Sequence, residues 1–206
     1  MGQHNHRNEM PLNPQVILEP FERWALDFIG TINSPSNQRV YILVCTDYMT
    51  KWVEAKALLR ANEEVVLAFL FEEIFVRFGV PRELVMDGGP PFTSHGFKAT
   101  LQEYHIHHRM TTTYHPQANG QVESTNKVIE SILTKTVKEN RKDWSYRLPE
   151  ALWAYRTTWR NTTGFSPYEL VYGKSVVFPM EFEIKTLRTA LVVNLDLTNA
   201  QTTRLQ

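Results

Sequence analysis

The sequence predicts an α/β fold built on a mixed five-stranded sheet. Three short runs rich in β-branched and aromatic residues follow one another over 24–58. The apolar period then lengthens to that of a helix over 62–78, and strand-like and helical segments alternate from there. Consecutive strands favour antiparallel pairing and alternation with helices favours parallel pairing, so a single sheet must hold both.

Element by element, W-A-L-D-F-I-G (24–30) is an apolar run closed by Gly30, a buried strand. After the turn N-S-P-S-N-Q, a second strand covers 40–48, and K-W-V-E-A-K-A-L (51–58) reads as a third, half-exposed one. Val65, Val66, Phe69, Leu70, Ile74 and Phe78 fall near helical spacing; Asn62 with Glu63 and Glu64 starts that helix, and Gly79 and Pro81 stop it. E-L-V-M-D (83–87) is a strand running into the turn G-G-P-P. A helix over 94–104 and a fifth strand over 106–111 follow. A long helix is expected from Asn119 to about Asn140, fed by a loop over Tyr114–Gly120, and another over 145–159. Leu187, Leu191, Leu195 and Leu197 suggest a helix in 180–206. Residues 1–20 are polar and aperiodic and read as a flexible lead-in to a domain over 21–180, with 181–206 a tail.

The 206 residues carry 22 basic and 22 acidic side chains, a formal charge of zero, which argues against a protein coated in basic surface for nucleic acid. Between Ser124 and Gly164, however, Lys127, Lys135, Lys138, Arg141, Lys142, Arg147, Arg156 and Arg160 outnumber Glu130, Glu139, Asp143 and Glu150, a mild basic bias that reads as a solvated helical face. No apolar run reaches the ~18–20 residues of a membrane span, and the start of the chain has no signal-peptide core. The single Cys45 sits in Y-I-L-V-C-T as a small buried hydrophobe, which excludes a disulfide framework and points to an intracellular protein.

Two carboxylates have unusual settings. Asp27 interrupts an apolar strand, and Asp87 ends another just before a glycine turn, where open α/β sheets place ligands. An unpartnered carboxylate in such a strand costs several kcal/mol or protonates, so something compensates each; an arginine, a lysine or backbone N–H groups would serve. Glu123 projects from the edge of the apolar stripe formed by Val122, Ile129, Ile132, Leu133 and Val137, on a face shared with Asn119, Asn126, Lys127 and Glu130. If that helix packs across the strand ends, the three acids converge, and three oxygen donors suit one or two Mg²⁺ or Mn²⁺ ions.

Those flanking motifs carry a resemblance. W-A-L-D-F-I-G, T-D-Y-M-T-K-W-V-E-A, R-F-G-V-P-R-E-L-V-M-D-G-G, Y-H-P-Q-A-N-G-Q-V-E, A-L-W-A-Y-R-T and G-F-S-P-Y-E-L-V-Y-G-K make residues 8–185 similar to the catalytic core of retroviral and retrotransposon integrases, and most of all to plant gypsy-type elements. The resemblance implies a ribonuclease-H-like fold, a five-stranded mixed sheet flanked by helices. It also implies an Asp-Asp-Glu triad with 35 residues between the last two members, met here by Asp27, Asp87 and Glu123 as catalytic metal ligands. Mg²⁺ or Mn²⁺ as two ions, DNA 3′-end processing and strand transfer, DNA as partner, a homodimer or higher oligomer, and the nucleus as location are further implications. Asn126 and Lys127, and in the preceding loop His115, Gln117 and Asn119, would meet DNA.

The chain departs from the family at G-G-P-P-F, where Pro90 and Pro91 remove two N–H donors beside Asp87. A catalytically inactive, decayed or domesticated nucleic-acid-binding domain on the same fold is therefore a competing reading, and a hydrolytic nuclease is another. Of the family's N-terminal zinc module only His4 and His6 have counterparts, so the chain reads as an isolated core or a polyprotein fragment. His105, His107 and His108 read as strand-face histidines, Asp47 as a turn carboxylate, and Trp24, Trp52, Trp153 and Trp159 as core or edge packing.

Overall fold

The computed structural model describes residues 19–110, 116–137 and 142–177, with the backbone alone over 116–122. Its five strands are β1 (Arg23–Ile29), β2 (Tyr41–Asp47), β3 (Val53–Leu58), β4 (Glu83–Met86) and β5 (His107–Met110). They lie in the order β3-β2-β1-β4-β5. β1, β2 and β3 pair antiparallel; β1 with β4 and β4 with β5 pair parallel. The expected mixed sheet is therefore present, and β1 at its centre explains why Asp27 interrupts so apolar a run.

Helices cover both faces. α1 (Glu63–Phe69) runs through a π-helical turn (Leu70–Phe75) into α2 (Val76–Phe78), and with α3 (Pro90–Thr93) and α4 (His95–Glu103) it covers one face. There Trp24, Leu26, Leu43, Cys45, Leu84 and Met86 meet Val66, Phe69, Leu70, Ile74, Phe92 and Phe97. α5 (Pro116–Thr136) and α6 (Trp144–Thr157) cover the other, burying Ile42, Val44 and Val53 against Ile129, Leu133, Trp144, Leu148 and Tyr155. A strand covered on both faces loses the polar alternation of a half-exposed one, which is why β1 and β2 read as continuous apolar runs. Asn62 caps α1 by accepting the Val65 N–H at 3.1 Å. The short α7 (Pro167–Tyr172) opens on a reciprocal Ser166–Glu169 capping box and closes on Gly173 in the left-handed region.

Three local expectations are corrected. The long helix starts at Pro116, not Asn119; a proline at the first helical position gives up an N–H that has no intrahelical partner anyway. The loop expected over Tyr114–Gly120 is thus helical from Pro116 onward, while Tyr114 and His115 lie outside the described residues. G-G-P-P is not a plain turn either: Pro90 and Pro91 occupy the first two positions of α3, where their missing donors are tolerated, and Phe92 N–H reaches Gly89 O at 3.0 Å. His105 is a turn residue with φ 55° ahead of β5 rather than part of it. The lead-in through residue 18, His4 and His6, and the helix expected in 180–206 lie outside the described residues.

Gly30 shows a backbone requirement. Its φ is 131°, and a Cβ there would stand 2.6 Å from Val40 O, so the β1–β2 connection admits only glycine.

Candidate active site

Strand register brings the two aspartates together. Leu26 pairs with Met86 at the end of the β1–β4 ladder, so Asp27 and Asp87 are the next residues along two adjacent strands, and such neighbours are separated by about one strand spacing, ~4.8 Å. Asp27 shares its side of β1 with Ala25 and Ile29, the side that α5 crosses. The packing of Ile129 and Leu133 fixes α5 there and sets Glu123 at its exposed edge.

Asp27 is half-buried. Its Oδ1 accepts the Phe28 N–H at 2.8 Å, and its Oδ2 accepts Asn126 Nδ2 at 2.6 Å. Burial pushes its carboxyl up to about 6, and the charges of Asp87 and Glu123 push the same way; the Phe28 and Asn126 hydrogen bonds oppose them. Asp87 is exposed, with its Oδ1 accepting Gly89 N–H at 3.0 Å. Among the described residues, no three His, Cys, Asp or Glu side chains are gathered closely enough to hold a metal ion as they stand. The three acids share a field without forming a closed cage. Two of the carboxylates are turned toward local partners, Asp27 to Phe28 and Asn126 and Asp87 to Gly89. The donor set is nonetheless all oxygen, and Asn126 Oδ1 is buried without a partner beside it. That chemistry fits a hard divalent cation.

Asn126, expected among the DNA contacts, is 8% exposed and spans from α5 to β1. Because a carboxylate only accepts, the amide must donate to Asp27, leaving its own oxygen as the orphan. Lys127, one turn past Glu123, is exposed and borders a cleft of about 330 Å³ with Lys135 and Arg160. The side chains of Gln117 and Asn119 and the whole of His115 lie outside the described residues. Asp47 is spent internally: fully buried, it accepts Phe21 N–H at 3.0 Å, Thr50 N–H at 2.7 Å and Thr50 Oγ1 at 2.7 Å. An apolar cleft of about 410 Å³ between the end of β1 and the later turns of α5 contains none of the three acids.

The solvated basic face is also only partly so. Arg147 pairs with Asp143 and Glu150, and Arg156 is drawn inward to Glu54. Glu54, expected on a half-exposed strand, is 4% exposed. It receives Arg156 at 2.6 Å, Arg77 at 2.9 Å and Trp52 Nε1 at 2.8 Å, while the Arg156 guanidinium lies 4.4 Å from the Trp52 ring and donates twice to Val53 O. The W-x-E spacing at the start of β3 was a readable signal, since residues two apart along extended chain put indole and carboxylate on one face. The arginines come from distant segments and were not readable.

Comparison with known proteins identifies the family and the fold. Residues 18–116 match the integrase core domain family. The chain is 33% identical over 154 residues to the Gag-Pol polyprotein of avian reticuloendotheliosis virus, covering 75% of this chain and 13% of that one. It is 36% identical over 155 residues to the Pol polyprotein of Radiation murine leukemia virus (strain Kaplan), covering 75% and 26%. The chain thus spans about a quarter or less of the length of these relatives. Among solved structures, the simian T-cell lymphotropic virus intasome in complex with PP2A regulatory subunit B56γ aligns with a TM-score of 0.63 at 20% identity, covering 81% of this chain and 63% of that one. The HTLV-2 integrase catalytic core domain in complex with magnesium, in a trimeric form, aligns at 0.58 and 22%, covering 74% and 97%. A family match that opens just before β1 and ends at the first residue of α5, viral relatives over three quarters of the chain and a shared fold lead to one assignment: the chain belongs to the retroviral and retrotransposon integrase core family.

Proposed function

We propose that this chain carries out divalent-metal-dependent DNA 3′-end processing and strand transfer, with Asp27, Asp87 and Glu123 as the acidic triad. The observation that supports this most is the raised Asp27 carboxyl, whose causes include the charges of Asp87 and Glu123: acids from three separate elements act on one point. Mg²⁺ or Mn²⁺, when bound, would supply activation of the attacking oxygen and stabilisation of the leaving one. Asp27, Asp87 and Glu123 are the residues that would hold it, two ions being the family expectation. Asn126 holds the Asp27 carboxylate toward α5. Lys127, one turn past Glu123, offers a cation for a phosphate next to the triad, and Lys135 and Arg160 continue that line of cations away from it. His115, Gln117 and Asn119 are proposed as further DNA contacts. An oligomer built on a homodimer and a nuclear location belong to the same proposal; a plant gypsy-type element is its proposed source.

Strand transfer on element-end DNA with Mg²⁺ or Mn²⁺, together with Mn²⁺ binding followed by electron paramagnetic resonance, tests this reading. Wild-type joining and Mn²⁺ binding, both lost in Asp87→Asn, are the expected result. Joining that survives that substitution removes the triad. The open spacing of the acids favours a second reading, a nucleic-acid-binding domain without chemistry; DNA binding with neither joining nor Mn²⁺ binding would establish it.

A further inference from the structure

We propose that the outer edge of β5 docks an extended acidic segment of a partner polypeptide, which joins the sheet as a sixth strand. The inference does not rest on the DNA-joining reading: the edge reaches the neighbourhood of Asp87 at Met110, which pairs with Met86, but the groups it uses are backbone amides and basic side chains outside the triad.

β5 is the last strand of the sheet. The His107 N–H bonds Arg82 O at 2.9 Å, so His107 and Arg109 turn their backbone groups toward β4. Strand alternation then turns the N–H and C=O of His108 and Met110 outward, where no strand pairs with them among the described residues. Side chains alternate too. Arg109 lies on the side of Glu83 and Arg23, and His108 packs edge-on against Phe97 of α4 at 6.2 Å.

A cleft flanks the strand on each side. One, of about 400 Å³, is lined by Arg23, Arg82, Glu83 and Arg109; the other, of about 510 Å³, by Lys98, His105 and the apolar Leu101 and Ile106. Counting Glu22, the first cleft holds three fixed positive charges (Arg23, Arg82, Arg109) against two negative ones, a surplus of one before any histidine, and Lys98 adds a further cation in the second. Arg23 and Arg109 are engaged with Glu83, whereas Arg82 and Lys98 make no ion pair among the described residues. His108 Nε2 is buried without a hydrogen-bond partner between the two clefts.

Strand addition takes affinity from main-chain hydrogen bonds and specificity from pockets for alternate side chains, and this edge offers both. A sugar–phosphate backbone answers the cations but brings only acceptors to an edge that presents donors and acceptors in turn. The fitting ligand alternates acidic residues, toward Arg82 and Arg109, with apolar ones, toward Leu101 and Ile106.

The test uses the full chain with a capped hexapeptide of alternating glutamate and valine, its lysine–valine counterpart and a short DNA duplex, read by amide hydrogen exchange and fluorescence anisotropy. The glutamate peptide is expected to slow exchange of the His108 and Met110 amides ~10-fold or more, the range that ordered strand pairing gives. Met110→Pro removes one outward donor without touching the β4 ladder and should abolish that protection, while Met110→Ala keeps it. Arg82→Glu should weaken binding ~10-fold or more, as loss and reversal of a charge partner does. Equal binding of the lysine peptide overturns the proposal. So do His108 and Met110 amides already protected without peptide, which would mean the chain covers its own edge. Duplex DNA protecting the same amides with the same Arg82→Glu loss would make the edge a nucleic-acid surface instead.

Discussion

Two carboxylates sit in the sheet under opposite terms. Glu54 on β3 is almost fully enclosed and receives two guanidinium groups and an indole N–H. Among the described residues Asp27 on β1 has no cation paired with it, a single side-chain amide and one backbone N–H for support, and two further acids acting on it. Both face the cost of moving a carboxylate out of water. At Glu54 the fold compensates that cost and ties α6 and α2 to the sheet; at Asp27 it leaves the charge poorly compensated. Poor compensation of a half-buried acid, reinforced by its neighbours, marks where a cation is wanted, while the closed network marks architecture.

Breaking the closed network should have the largest effect on stability. Arg156→Ala leaves Glu54 enclosed with half its cations, strips a ring partner from Trp52 and uncovers Val53 O; a loss of ~3–5 kcal/mol is expected from denaturant unfolding. Glu54→Gln with Arg156→Leu should recover part of that loss, since the desolvated charges go together.

The open site should respond in the other direction. Asp27 has a folded-state value of about 6 against an ordinary 3.8, so the fold prefers its protonated form. Its contribution to stability is greatest below pH 3.8 and is lost as pH rises to about 6. Asp27→Asn should therefore raise stability at pH 7.5 by about 1 kcal/mol after allowance for solvent screening. That advantage should shrink on acidification through pH 6 toward pH 4. Melting curves across that range decide it; a constant difference would remove the repulsion argument. Within the same site, Asn126→Ala removes a donor to the ionised carboxylate, so carboxyl NMR titration should find Asp27 shifted further upward.

Arg77→Ala is the smallest expected change. Its side chain is 38% exposed, and Arg156 remains on Glu54, so a loss of ~0.5–1 kcal/mol is expected. An effect matching that of Arg156→Ala would mean the network works as one unit rather than around one buried pair.

Much of this was legible beforehand because strand and helix periods are local. The five strands, the Asn62 cap and the apolar faces of the helices followed from spacing alone. Asp27 and Asp87 stood out because a charge in a buried strand, or at a strand end before glycines, conflicts with its surroundings. Asn126 was singled out only by the resemblance and not by spacing: a polar residue on an amphipathic helix is indistinguishable from a solvated one until the helix lands on β1. Glu54 was misjudged for a related reason, since its arginines arrive from 23 and 102 positions away.

The sequence by itself determined the kind of sheet, the apolar runs of its centre and two acids out of keeping with their neighbours, because these depend on period and composition. Only the tertiary structure decided which acid is compensated, that Asn126 spans from α5 to Asp27, and that Arg156 reaches the Val53 carbonyl at one edge of the sheet while the other edge is left unpaired among the described residues. Those outcomes depend on register and helix placement, which bring together side chains from distant segments and which no local pattern encodes.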